Sequence, residues 1–458
     1  MAVSTLRALL NLMTEAVDTI EGAYAAAKAP LPVLDDPYDP QTPSEALRAD
    51  PVVASATTIL IAAAAQITAT VRNPVHTAVL TACYFHVGSA VRVASELNVV
   101  EILREADVLA QILRTLSTWH IFREVAPGTF ANNKISSAMD KGKASKLLVE
   151  NREERFTGAV HGTQGTAALI EFCGDEIFKA SANLAETIRD MDGEPVSLRR
   201  AFGFEEASIF QWYNRPENKY RRDRFGMAMH STVSAQSHEL IFQGFDWSQL
   251  PEGSVIVDVG SGVGSTPLAV AQRYPCHKVV IEDLAETVEA AKIHWLEHYP
   301  EYIERGMVEF QAQNFFEAQP ANRLGTADVY IIRHCLHNWR DNACITILKQ
   351  LRAAAKPETQ LVVMDSILPV VSGGEHDDPR IKDIPGALRP LAPPPLLPNG
   401  GVGAARLYSM DMTVLNMLNA CERTVGGFVD LLGKGGWKVV RVHRLPGVET
   451  CHIVATVL

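Results

Sequence analysis

The sequence lacks a positive surplus, paired cysteines and internal repeats. Its formal net charge is −11, whereas a protein that grips nucleic acid normally carries the opposite sign to neutralise phosphates, so nucleic-acid binding is excluded as a main activity. The seven cysteines (Cys83, Cys173, Cys276, Cys335, Cys344, Cys421 and Cys451) include no CxxC pair and are odd in number. That pattern predicts reduced, intracellular, mostly buried thiols and no metal site. The opening MAVSTLRALLNLMTEAVDTIE places acids early and has no cleavable apolar core, so no secretory signal is expected. Val52 to Val71 runs free of charge for about the twenty residues that cross a bilayer. Its Ala, Thr, Ser and Gln66 content reads instead as a buried or subunit-interface helix, giving no membrane association and a cytoplasmic location.

What is present is ordinary globular composition: 47% hydrophobic and 21% charged residues over 458 positions, enough for two domains without disulfide or metal staples. Leu6, Leu9, Leu10, Met13, Val17 and Ile20 recur at helical spacing, predicting an amphipathic helix over 5–27. The Pro/Asp-rich stretch that follows reads as a linker. From Pro51 to about Arg123 the pattern is helical. A helix ending at Ile121-Phe122-Arg123, a turn at Pro127-Gly128 and Thr129-Phe130 then outline a winged helix or, more blandly, a helical cap with a surface hairpin. Residues 151–247 again read as helical. After Pro251 the texture changes to β-branched runs alternating with helices: VIVDV, KVVIED, VEFQAQ, ADVYIIR and QLVVMD. Such runs predict a parallel sheet in a doubly wound, Rossmann-like α/β domain. The end, WKVVRVHRLPGVETCHIVATVL, predicts a terminal antiparallel hairpin turning at Pro446-Gly447. Residues 369–404, dense in Pro and Gly, are expected to form a mobile surface insertion that cannot pack as an element. The domains expected are 1–155, helical and winged-helix-like, and 156–458, the α/β part.

The strongest chemical signal is VIVDVGSGVGSTPLAVA. A buried strand ends at Asp258, and Gly260, Gly262 and Gly264 turn the chain into a helix where a ligand can approach the backbone closely. The next strand ends at Glu282-Asp283, where a carboxylate can accept both hydroxyl protons of a ribose. A nicotinamide enzyme is the obvious competitor. Its GxGxxG fingerprint would need glycine at 265, which is Ser265, so the spacing favours a nucleoside ligand without phosphates. Downstream, ADVYIIRHCLHNWRDNACITIL runs from strand to helix with Arg333, His334, His337, Asn338 and Trp339 at the end where ligands bind in such sheets. His334 and His337 could also be two surface imidazoles, or a zinc pair without further clustered ligands.

Together the glycine loop, EDLAETVEAAK, FFEA, RHCLHNWRD, MDSILP, NACERT and FVDLLGKGGWKVVRV resemble the plant caffeate/flavonoid-type O-methyltransferases, with fungal secondary-metabolite (polyketide) relatives nearest. The resemblance is loose over 1–458 and close over 200–458. It implies S-adenosylmethionine as donor, a small aromatic hydroxyl substrate, and an N-terminal domain that makes a homodimer. It implies His337 as catalytic base with Asp365 and Glu422 as flanking acids, and donor contacts at Gly260, Gly262, Asp283, Asn314, Phe315 and Arg333. Asn338 and Asn314 stand where the family usually has Asp. Only READVLAQ joins the helices flanking Leu103 and Ile112, where the family has a longer segment. A non-catalytic dimerising or regulatory relative that kept the fold is the alternative, favoured by that shortening and opposed by the intact triad. Phe225, Met227, Met229, Met410, Met412 and Met417 suit either an acceptor pocket or plain core. A phenol ionises near pH ~10 and an ordinary histidine near ~6.5, so full proton transfer between them would be uphill by roughly 5 kcal/mol.

Overall fold

The computed structural model describes residues 4–74, 77, 84–105, 110–156, 164–190, 196–206, 208–234, 239–444 and 448–458. Packing divides the chain into two compact units, residues 1–236 with 416–418, and residues 237–415 with 419–458. The division falls some way beyond the expected 155/156 boundary because helix Gln164–Phe172 packs on helix Lys219–Ser234 within the first unit.

The first unit is helical. Helix Thr5–Ala26 starts where the Ser4 hydroxyl accepts from Arg7 N, and helix Pro51–Val71 starts where the Asp50 carboxylate accepts from Val52 N and Val53 N. Both are side-chain caps of the usual kind, and the two helices pack together. Pro51–Val71 is the one helix among the described residues long and apolar enough to cross a membrane. It buries Val53, Ala56, Ala62 and Ala63 and leaves Val52, Ile61 and Val71 exposed. Helix Ala110–Thr118 leads into strands β1 (Arg123–Ala126) and β2 (Thr129–Ala131), an antiparallel pair that turns at Gly128, as the winged-helix outline predicts. Part of READVLAQ lies outside the described residues, as does Cys83. Of the other six cysteines, all free thiols, Cys335, Cys344 and Cys451 are buried.

The second unit is a seven-stranded sheet. Its strands are β3 (Val255–Val259), β4 (Lys278–Asp283), β5 (Val308–Ala312), β6 (Val329–Arg333), β7 (Gln360–Ser366), β8 (Trp437–Arg444) and β9 (Thr450–Val457), in the order β5-β4-β3-β6-β7-β9-β8. Strands β3 to β7 are parallel, and β9 runs antiparallel between β7 and β8. The continuous apolar runs exist because both faces are covered. Val257 and Val259 of β3 face a core with Leu348, Phe428 and Trp437, while Ile256 faces one with Trp247 and Trp295. The chain reverses direction across the sheet between β3 and β6, which puts the carboxyl ends of those strands at the crevice where doubly wound folds bind ligands. The expected hairpin is β8–β9; its Pro446-Gly447 turn lies outside the described residues.

One expectation fails. The 369–404 segment is a packed strip, not a mobile surface insertion: Ile381 and Ala387 are fully buried in the main core. Pro385 accepts from Val442 N at 2.9 Å, and Arg444 Nη2 donates to Ala387 O at 2.9 Å. Proline lacks an N–H to satisfy, so a proline-rich chain can lie on an edge strand through its carbonyls alone. Gly386 passes so near β8 that a Cβ there would sit 1.9 Å from Val442 O.

Candidate functional site

Every residue expected to carry chemistry or to hold the nucleoside ligand lies in the sheet unit, at the carboxyl ends of β3 to β7 or the loops beyond them. After β3, Gly260, Gly262 and Gly264 take φ values of 72°, 58° and 85°. Gly264 is the constrained one: a Cβ would come within 2.6 Å of Ile281 Cδ1 and 2.8 Å of Trp295 Nε1. Trp295 Nε1 donates to Val263 O at 3.0 Å, pinning the loop from beneath. Around Gly262 a Cβ would meet nothing within 4 Å, so that backbone faces open space.

The two acids ending β4 part company. Glu282 turns inward and accepts from Gln311 Nε2 at 2.6 Å and Gln319 Nε2 at 3.0 Å, with burial pushing its carboxyl up to about 7. Asp283 stays at the rim, where Oδ2 accepts from Gly262 N at 2.9 Å and Oδ1 from Leu284 N at 2.8 Å. Asp283 is therefore the acid tied to the glycine loop. Asn314 and Phe315 follow β5 side by side. The Asn314 Oδ1 accepts from Phe316 N at 3.1 Å, its Nδ2 donates to Glu317 Oε1 at 3.2 Å, and the Phe315 ring lies edge-on to Trp339. A Cβ on Gly260 would stand 3.8 Å from Phe315 Cε1, so the ring closes over the loop.

Sequence reasoning passed over Asp258 itself. It is buried, accepts from Ser261 Oγ at 2.7 Å, and is pushed up to about 7 by burial, against the pull of Ser261 and Arg333. Arg333, at the end of β6, donates to Thr266 Oγ1 at 3.3 Å. Nothing but the position of Asp258 before the glycines could have singled it out.

The second constellation joins three separate elements. His337 sits in the short helical turn Leu336–Asn338, Asp365 near the end of β7, and Glu422 in the loop after helix Ala405–Leu418. His337 Nδ1 lies 2.8 Å from Glu422 Oε1 and 3.4 Å from Asp365 Oδ1. Asp365 is fully buried and Glu422 nearly so. Burial alone would lower the imidazole, but the charge of Asp365 and the hydrogen bond and charge of Glu422 win and raise it to about 9. Burial opposes ionisation of Asp365, yet His337, His334 and Arg423 hold its carboxyl below the usual range. His334 adopts a left-handed φ of 47° and brings Nδ1 to 3.8 Å from Asp365 Oδ1, so its imidazole turns toward the buried acid and not simply to solvent. Asn338 donates to His334 O at 3.3 Å and so steadies the turn.

Arg423, next in sequence to Glu422, turns toward the His337 turn. It donates to Leu336 O, Trp339 O and the Asp341 carboxylate. Asp411 Oδ1 accepts from Glu422 N at 2.8 Å and fixes the other side of the loop. With Nδ1 held between two carboxylates, Nε2 is the imidazole nitrogen left to meet a substrate.

The aromatic and methionine candidates divide between the units. Phe225, Met227 and Met229 lie in the helical unit, Met227 buried beside Phe156 and Ala168, and the other two packed near Phe172 and Trp212. Met417 is buried in that same unit. Met410 and Met412 lie in the sheet unit, Met412 exposed.

The profile of the O-methyltransferase domain family matches residues 181–382. An O-methyltransferase of Armillaria gallica is 36% identical over 475 residues, covering 98% of this chain and 97% of its own. A 4-O-methyltransferase of Phanerochaete chrysosporium is also 36% identical, covering 96% of each chain. Among solved structures, the mitomycin 7-O-methyltransferase MmcR superposes with a TM-score of 0.59 at 22% identity, covering 86% of this chain and 99% of its own. Human N-acetylserotonin methyltransferase, solved in complex with SAM, gives 0.57 at 19% identity over 84% of this chain and 98% of its own.

Proposed function

The chain belongs to the O-methyltransferase family and takes its methyl group from S-adenosylmethionine, and we propose that the acceptor is a phenolic hydroxyl of a small aromatic metabolite, with His337 as general base. The observation that carries this reading is the seat of His337 Nδ1 between Glu422 and Asp365, 2.8 and 3.4 Å away.

The residues at the crevice fit the donor. The open backbone at Gly262 and the rim carboxylate of Asp283 suit a ribose, and the Phe315 ring beside Gly260 offers an apolar wall for a flat base. When bound, the sulfonium donor supplies an already activated methyl carbon. The chain must then orient the hydroxyl and take its proton. The hydroxyl donates to His337 Nε2, and the proton passes to the imidazole as the oxygen is alkylated. Glu422 and Asp365 hold the ring by Nδ1–H and stabilise the imidazolium that forms. With His337 raised to about 9, the mismatch to a phenol near ~10 shrinks to about one unit, roughly 1.4 kcal/mol. The acids thus convert a weak base into one nearly matched to its substrate. The raised value also leaves His337 mostly protonated at neutral pH, so turnover depends on the small neutral fraction.

The test is calorimetric titration with S-adenosylhomocysteine, beside turnover on a panel of phenols. Parent protein should bind, Asp283→Ala should not, and His337→Ala should bind normally but lose most turnover. Retained turnover in His337→Ala would sink the base assignment.

We also infer a cytosolic homodimer. Helices Thr5–Ala26 and Pro51–Val71 leave Leu6, Leu10, Val17, Ile61 and Val71 exposed, apolar side chains that a second copy would cover. Light scattering at micromolar concentration checks this; a monomer overturns it.

A further inference from the structure

We propose that His337, Asp365 and Glu422 also form a binding site for a divalent transition-metal ion, and that the bound ion inhibits methyl transfer. The site itself follows from geometry and charge; the inhibition rests on the role proposed for His337.

One ligand atom each from His337, Asp365 and Glu422 can be chosen so that all three lie within 4.8 Å of one another. Around a four-coordinate zinc, with bonds of about 2.0–2.1 Å, ligand atoms stand about 3.3 Å apart. The two nitrogen-to-oxygen separations, 2.8 and 3.4 Å, already bracket that spacing.

A second, independent observation concerns the other carboxylate oxygens. Asp365 Oδ2 and Glu422 Oε2 are both buried without a hydrogen-bond partner among the described residues. Buried carboxylate oxygens are ordinarily satisfied, and here two unsatisfied ones belong to residues that share one imidazole.

Charge gives the third argument. The two carboxylates bring two negative charges to one imidazole. Arg423 does not cancel them by direct contact, because its guanidinium binds Asp341 and two backbone carbonyls. A divalent ion with a neutral imidazole brings the cluster to zero. One nitrogen and two oxygen donors suit Zn²⁺, Co²⁺ or Mn²⁺ better than a thiolate-seeking or all-oxygen ion. No spacing in the sequence announces such a site, because its ligands come from positions 337, 365 and 422 and meet only in the fold.

The consequence for catalysis is a change of tautomer. In the working enzyme the Nδ1 proton points at Glu422 and the Nε2 lone pair faces the acceptor. A metal on Nδ1 displaces that proton to solvent and confines the remaining ring proton to Nε2, which then can only donate. The base is lost although the donor site is untouched.

The experiment uses chelator-stripped full-length protein carrying His294→Ala and His298→Ala, which remove a surface imidazole pair whose rings lie 4.5 Å apart and could bind zinc adventitiously. Zn²⁺ and Co²⁺ are titrated by calorimetry and by Co²⁺ visible absorption, with S-adenosylhomocysteine binding as the check of folding. One ion should bind per chain, and Asp365→Asn and Glu422→Gln should each weaken it by at least about tenfold. Zn²⁺ should abolish turnover, and chelation should restore it. Absence of binding in folded parent, or equal binding in both variants, would overturn the site. Binding that leaves turnover intact would overturn the inhibition alone.

Discussion

Arg423 Nη1 donates to Leu336 O at 3.0 Å, so the residue beside Glu422 clasps the turn that carries His337. The main chain of Arg423 closes the third side, because Leu368 N, just past β7, donates to Arg423 O at 2.9 Å. One residue therefore ties together the segments holding the base and both acids. Arg423→Met should lower kcat by about tenfold to a hundredfold, the usual cost of a misplaced catalytic group. S-adenosylhomocysteine affinity should be unchanged. The break in the pH profile should also move up, because the Arg423 charge opposes protonation of His337, which a merely destabilised enzyme would not show. Lysine should rescue poorly, since it cannot offer several fixed donors at once.

The pH profile follows from the raised imidazole. Since neutral His337 is the active form, kcat/KM should climb about tenfold per pH unit and level off near pH 9. Glu422→Gln removes a group that raises the imidazole, so the break should shift to lower pH and the plateau should fall. A profile already flat at pH 7 in the parent would contradict the assignment. The same pairing stabilises the fold fully below the ordinary histidine range, and that contribution fades as pH rises through about 9.

Asp258, a buried acid, also predicts a stability that falls as pH rises, but over a lower window. Its carboxyl is pushed from 3.8 up to about 7 by burial, so ionising it in the folded state costs on the order of 4 kcal/mol. The penalty is complete above about pH 7 and vanishes below the ordinary aspartate value. Asp258→Asn, which keeps an acceptor for Ser261, should raise the Tm of donor-free protein at pH 8.5. The gain should shrink steadily toward pH 4.

Gly264→Ala should lose more than Gly306→Ala, although both glycines have positive φ. A methyl at 306 meets open space, whereas one at 264 strikes Ile281 and Trp295. Backbone conformation alone costs about 1–2 kcal/mol. Denaturant melts should show about that for 306 and clearly more for 264, with donor affinity falling only in the latter.

Ile381→Ala should destabilise the enzyme by about 2–5 kcal/mol, as for any fully buried isoleucine. A loss within ~0.5 kcal/mol, typical of surface sites, would return the 369–404 strip to the status of a loop.

The strands were legible because each is buried on both faces, so VIVDV, KVVIED and VYIIR announce themselves without a helical alternative. The glycine loop and Asp283 were legible because backbone geometry dictates their residue types. Other features depend on contacts that local pattern does not encode. Ile381 and Ala387 look like loop residues until β8 is placed beside them. Arg423 shows no role until the turn at Leu336 arrives from 87 positions away. The helices between 164 and 234 carry no mark of the unit they join, since an apolar stripe does not name its partner.

The contact between Pro385 and Val442 has a consequence beyond packing. Strand β8 ends the sheet, and a bare sheet margin is a template on which other chains can grow into aggregates. A prolyl carbonyl laid on that margin takes up one of its free amides, while the prolines around it supply few donors for a further strand. The strip is a selvedge that keeps the weave from unravelling into its neighbours, and its shortening would be felt first as lost solubility.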